Sequence, residues 1–145
     1  MAGFVATAST DIDAAPDVVW HVLTSPEEVK KYMFGTTVES DWTPGSSIVW
    51  RGEYEGKPYE DKGEVIACEP RRRLEVTHFS PLSGQDDLPE NYHRLTYSLE
   101  TSGRGGTRLV LTQDGNSSQD EADHARSNWE QMLAGLKKVA EERKA

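Results

Sequence analysis

"SNWEQMLAGLKKVAEERKA", residues 127–145, closes the chain and decides how the rest is read. Trp129, Met132, Leu133, Leu136 and Ala140 recur at the three- and four-residue spacing of a single helix face. Ala122 and Ala125 carry the stripe backward, so the spacing predicts a helix from roughly Gln119 onward. Glu130, Gln131, Lys137, Lys138 and residues 141–144 fall mainly on the other side, and the basic last turns suit the negative end of the helix dipole. At about 1.5 Å per residue this helix would be about 35 Å long. An apolar face of that length needs something to cover.

Upstream of the helix the hydrophobic period is two. Leu109, Leu111 and Gln113 alternate in one strand, and Leu95, Tyr97 and Leu99 in the strand before it, with a hairpin turn at Gly103–Gly106. Further strands are predicted at Leu74–Phe79, at Gly63–Cys68, around Ile48 and Trp50, and at Val38–Trp42. Gly56-Lys57-Pro58 reads as a break, and Ser80–Asn91, with its prolines, glycine and acids, reads as a mobile loop. Phe4–Asp13 is a first strand with Phe4, Ala6, Ala8, Thr10 and Ile12 on one face. Two short helices follow it. Pro16 begins the first, with Val18, Val19, Val22 and Leu23 as its apolar side. Ser25-Pro26-Glu27-Glu28 begins the second, with Ser25 as N-cap and Val29, Tyr32 and Met33 apolar, and Gly35 ends it. Strands in sequence with short connections form an antiparallel meander, and its apolar face must be covered. The terminal helix is the element long enough to cover it.

Composition agrees with one domain spanning residues 1–145: 35% of the chain is hydrophobic and 28% charged. The formal net charge of −9 argues against nucleic-acid and anionic-membrane partners, which would be repelled. No membrane span or basic leader is read from the sequence, and Cys68 is the lone cysteine, so the expected location is cytoplasmic. The basic run Arg71-Arg72-Arg73 reads as a solvated hairpin turn.

The element order and several strings resemble the helix-grip, START-related and birch-pollen-allergen-like superfamily, SRPBCC. Within it they are similar to the activator-of-heat-shock-protein-ATPase, or AHSA-type, group. The strings are APDVVWHVLTSPEEVKKYM at 15–33, WTPGSSIVWRG at 42–52, KGEVIACEPRRRLEVTH at 62–78, GGTRLVLTQDG at 105–115 and NWEQMLAGLKK at 128–138. The resemblance implies an α+β helix-grip fold. A curved antiparallel sheet of about six to seven strands would grip the long C-terminal helix, with a cavity between them. Where such relatives carry tryptophan, this chain has Tyr32-Met33-Phe34 and His78, so the ligand of a relative does not transfer.

The candidate ligand-binding residues are those expected to face the cavity. They are Ala8, Trp50, Val76, His78, Leu95, Tyr97, Leu111, Gln113, Trp129, Met132 and Leu136, with Tyr32 and Met33 at an entrance shared with the 80–91 loop. His78 shares the alternation of Leu74 and Val76, and it reads either as a satisfied core histidine or as a polar anchor in an apolar pocket. His21 and His124 lie beside polar residues and read as exposed. The acids Glu53, Glu55, Glu60, Asp61 and Glu64 read as a solvated strand face, and Cys68, out of phase with Val65 and Ala67, as a small buried or half-buried thiol. No two histidines have helical metal-site spacing, and no phosphate loop or nucleophile elbow occurs. No catalytic residue, metal or cofactor is therefore assigned. The leading expectation is non-enzymatic binding of a small apolar or amphipathic molecule. The resemblance adds a second reading, a chaperone-interacting or stress-response protein. The third is a cyclase- or hydrolase-type enzyme using His78 or Tyr97 as its acid–base group.

Overall fold

In the computed structural model, which describes residues 4–33, 35–80 and 84–144, the elements run in the expected order. They are β1 (Phe4–Ile12), α1 (Pro16–Thr24), α2 (Pro26–Tyr32), β2 (Thr37–Ser40), β3 (Ser47–Tyr54), β4 (Lys57–Glu69), β5 (Arg73–His78), β6 (His93–Thr101), β7 (Thr107–Asn116) and α3 (Gln119–Lys144). All seven strands form one antiparallel sheet in the order β1-β7-β6-β5-β4-β3-β2. β2 to β7 are a plain meander, and β1 returns to pair with β7. This is the α+β helix-grip fold.

Strand β4 departs from the expected boundaries. Gly56-Lys57-Pro58 does not break the sheet. The turn is Glu55-Gly56, both at positive φ (51° and 82°), and β4 begins directly after it. Paired positive φ is the signature of a tight hairpin turn. Pro58 stands opposite Glu53. It is tolerated because β5 pairs with β4 from Val65 onward, so the other side of β4 at Pro58 carries no ladder and the missing N–H costs nothing. The long β4 thereby joins both parts of the sheet, and the β5 backbone approaches it closely at Gly63. A Cβ there would lie 1.7 Å from the Thr77 carbonyl oxygen. Past a register shift between Val65 and Ala67 the alternation changes phase, which exposes Ile66 and leaves Cys68 half-buried against the core, as expected for that thiol.

Helix α3, 26 residues long, lies against β1, α1 and α2. Ala6 and Ala8 of β1 are small and buried, which lets the helix approach closely, while Met132, Leu133, Leu136 and Ala140 fill the space above the sheet. Gly135 lies against α2, where a Cβ would come 3.3 Å from that of Tyr32. The C-terminal half is tied down by polar contacts. Lys137 donates to the Asp11 carbonyl at 2.7 Å, and Glu141 accepts from the Asp13 amide at 2.9 Å. Among the described residues, no helix is long and apolar enough to cross a membrane.

Ser25 sits at the N-cap of α2, yet its hydroxyl makes no capping bond. Its backbone is shared: the N–H closes α1 on His21, and the carbonyl opens α2 by accepting from Glu28 and Val29. Glu28 is buried rather than solvated, and it meets Lys31 at 2.7 Å and Arg143 of α3 at 3.3 Å. The Lys31 ammonium holds the Glu28 carboxyl below its ordinary value of 4.5, against the opposing pull of burial. A lowered folded-state value gives a contribution that is complete above the unfolded value and fades as pH falls through the folded one. Lys31→Ala is therefore expected to cost about 0.5–1 kcal/mol at neutral pH. In urea titrations at several pH values the gap to the unaltered chain should close below pH 4.5. A gap that stays constant into acid would remove this account of Glu28.

Candidate functional site

The expected cavity residues do not line one chamber. Ala8, Leu95, Leu111 and Leu136 interlock at the centre of the core and fill it. Beside them remains a void of about 20 Å³, bounded by Tyr32, Met33, Trp50, Val76 and Tyr97 among others. That is room for a single water. Tyr97 borders this void, and burial raises the pKa of its hydroxyl well above the ordinary phenol value. The Tyr32 hydroxyl is likewise kept protonated by burial and donates to the Leu23 carbonyl at 3.3 Å.

His78 faces inward, but it is engaged by a carboxylate. Its Nε2 lies 2.9 Å from Asp61 Oδ2, and its ring meets Trp50 edge-on with centroids 5.0 Å apart. Asp61 stands opposite Trp50 on β4, so this acid belongs to the inner face and not to the solvated one. Asp61 Oδ1 and His78 Nδ1 are buried with no hydrogen-bond partner among the described residues.

A roomier space than that void lies at the open end of the grip. A cleft of about 350 Å³ runs between the end of α2, the first half of α3 and the inner ends of β4, β6 and β7. Met33, Gln113, Trp129 and Met132, all expected at the site, line it. So do Thr36, Tyr59, His93, Asn116, Glu121, His124, Ala125 and Asn128, which sequence reasoning did not bring to it. Three signals could have found some of them. His93 continues the inward alternation of Tyr97 and Leu95. Glu121, Ala125, Asn128 and Met132 share one helical stripe. Ser118-x-x-Glu121 carries the residues of a capping box, and indeed the Ser118 hydroxyl accepts from the Glu121 amide at 3.1 Å. Tyr59 was hidden by reading Pro58 as a break.

The walls are held by local bonds. The half-buried Trp129 donates its indole N–H to Gln113 Oε1 at 2.6 Å, tying α3 to β7. His93 Nδ1 donates to the Asp114 carbonyl at 2.7 Å. The Thr36 and Tyr59 hydroxyls bond each other at 2.7 Å. Asn116 donates to the carbonyls of Phe4 and Gln113, at 3.0 and 3.2 Å. The described part of the 80–91 loop is not a rim of this cleft. Asp87 pairs with Lys62, and Tyr92 stacks on Phe79 at 5.2 Å, so the segment packs over the outer side of β4 and β5, while residues 81–83 lie outside the described residues. Among the described residues no three His, Cys, Asp or Glu side chains gather to hold a metal ion.

Known proteins repeat this architecture. A family profile described as "Activator of Hsp90 ATPase homolog 1-like protein" matches residues 13–141. The solution structure of ChR145 from Cytophaga hutchinsonii is 48% identical, with 99% of this chain and 97% of that chain covered and a TM-score of 0.84. The Aha1 dimer from Colwellia psychrerythraea, at 20% identity, covers 95% of this chain and 96% of its own with a TM-score of 0.73. CalU16 from Micromonospora echinospora, also at 20%, covers 97% and 87% with a TM-score of 0.69, and these two show the fold alone. No functionally curated protein matches the chain. With a family profile spanning nearly all of it and a relative nearly half identical over its whole length, the chain belongs to the Activator of Hsp90 ATPase homolog 1-like family, the AHSA-type group of the SRPBCC superfamily.

Proposed function

We propose that this chain binds a small apolar or amphipathic molecule in the cleft beside Trp129 and does no chemistry on it. The observation that carries the reading is the cleft itself. Its volume of about 350 Å³ falls within the range of small-molecule sites, and Met33, Trp129 and Met132 give it apolar walls with a few placed polar groups. The family fits a ligand-binding fold. Neither candidate acid–base group lines the cleft: His78 is bound to Asp61, and the Tyr97 hydroxyl is sealed in the core. Binding without catalysis is favoured on that ground. The chain would act in the cytoplasm, where a lone half-buried thiol stays reduced.

The uncharged fluorescent probe N-phenyl-naphthylamine tests the site. It is expected to bind the unaltered protein and to light up in the apolar cleft. Ala125→Trp, which fills the cleft from a half-buried position on α3, should weaken binding at least about tenfold, the equivalent of about 1.4 kcal/mol. Native mass spectrometry of protein purified from its own cell extract would identify a carried ligand. If the probe does not bind, or binds Ala125→Trp equally well, the cleft is not the site.

A further inference from the structure

Two of the polar side chains lining the cleft, Gln113 and His93, have fixed hydrogen-bonding roles. An indole N–H only donates, so the Gln113 atom 2.6 Å from Trp129 Nε1 is the amide oxygen. Among the described residues the amide's NH₂ end makes no hydrogen bond, and Gln113 lines the cleft. A carbonyl only accepts, so His93 Nδ1, 2.7 Å from the Asp114 oxygen, carries the hydrogen. In the neutral ring Nε2 then presents a bare lone pair. Leu95 stands opposite Gln113 in the β6–β7 ladder, which sets His93 diagonally beside Gln113 on the same face. A donor and an acceptor thus stand as neighbours on the floor of the cleft.

Charge sets a second condition. Among the described residues no lysine or arginine lines the cleft, whereas Glu121 does. The Ser117 hydroxyl holds the Glu121 carboxyl below its usual range, so it is ionised near neutral pH. The whole chain adds a net −9. A bound anion would meet repulsion and find no cation to replace its lost hydration.

We infer that the cleft selects an uncharged ring ligand presenting a hydrogen-bond donor beside an acceptor on one edge, as a cis-lactam does, and rejects carboxylates. The ligand's donor goes to His93 Nε2 and its acceptor receives the Gln113 NH₂, with Trp129, Met33 and Met132 against the ring. This deepens the proposed binding function and rests on it.

Titrations of the full chain, followed by nitrogen–proton correlation spectra with the Trp129 indole signal as reporter, test the inference with four probes. Carbostyril is a flat bicyclic cis-lactam, N-methylcarbostyril lacks its donor, quinaldate carries a carboxylate on a similar ring, and naphthalene has the ring alone. Carbostyril should bind about tenfold more tightly than the N-methyl form, the size of one net hydrogen bond, and quinaldate should bind weakest. In His93→Asn the side-chain amide can still donate to the Asp114 carbonyl while the Nε2 acceptor is gone. The lactam and its N-methyl form should then bind alike, with the spectrum itself reporting that the variant is folded. Equal affinities for carbostyril, its N-methyl form and naphthalene in the unaltered protein would overturn the edge selection while leaving a ligand cleft standing. A lactam preference that survives in His93→Asn would overturn the assignment to His93. Quinaldate binding as tightly as carbostyril would overturn the charge selection. Cleft signals unmoved by all four would overturn both this inference and the binding function beneath it.

Discussion

Leu136→Ala is expected to destabilise the protein by about 2–5 kcal/mol, the range for a buried leucine truncated to alanine. Leu136 has no solvent exposure and lies where α3 meets the packed centre of the sheet. Its neighbours Leu95 and Leu111 sit on strands tied to both sides of the meander and cannot collapse into the gap. The loss therefore belongs near the upper end of that range. Against a typical total stability of about 5–15 kcal/mol it is a large share. Lys138→Ala, two residues on and exposed, should stay within about 0.5 kcal/mol. Urea denaturation of the two variants in parallel measures the contrast. Small, equal effects would mean that the helix is not seated on the sheet in solution.

The second large effect is expected at Gly63. A methyl group there would occupy the Thr77 carbonyl, 1.7 Å away, and the obstacle is backbone, so no rotamer change relieves it. Either β4 or β5 moves, and the Glu64 amide's bond to the Thr77 hydroxyl, now 2.9 Å, is lost with the movement. Gly63→Ala should cost about 3–5 kcal/mol, at the far end of single-residue effects. Gly103 serves as the control, because an added Cβ there meets nothing within 4 Å. Gly103→Ala should change stability by about 0.5 kcal/mol or less. Indistinguishable denaturation midpoints for the two alanine variants would show that the Thr77 carbonyl does not crowd Gly63 as described.

Much of this fold is written in short-range periodicity. The stripe from Ala122 to Ala140 repeats at the helical period whatever it covers, and Leu74, Val76, Leu95, Tyr97, Leu109 and Leu111 alternate whatever strands flank them. Pro58 misled because the cost of a proline depends on whether a partner strand stands on its N–H side. That is a property of the sheet and not of the local string. The site was less legible for a related reason. Alternation tells which face a side chain takes, but not whether its neighbours fill the space before it. Leu95, Leu111 and Leu136 face inward as expected and, being large and mutually complementary, leave nothing open. His93 faces inward by the same rule, and it borders the cleft together with Gln113 and Asn116 of β7 and Glu121 of α3. The Asp61–His78 pair joins residues 17 apart in sequence, a contact that no string of residues announces.

The uneven seating of α3 bears on how such a protein can change over generations. Its C-terminal half carries Leu133, Leu136 and Ala140 and the ties to Asp11, Asp13 and Glu28, whereas Glu121, His124, Ala125 and Asn128 of the other half border open space. If the cleft binds as proposed, inheritable variation at those four positions would reshape recognition while the turns that hold the fold stay as they are. One helix would thus keep durability and adaptability on separate turns, and descendants of a common scaffold could diverge in what they capture without first being rebuilt.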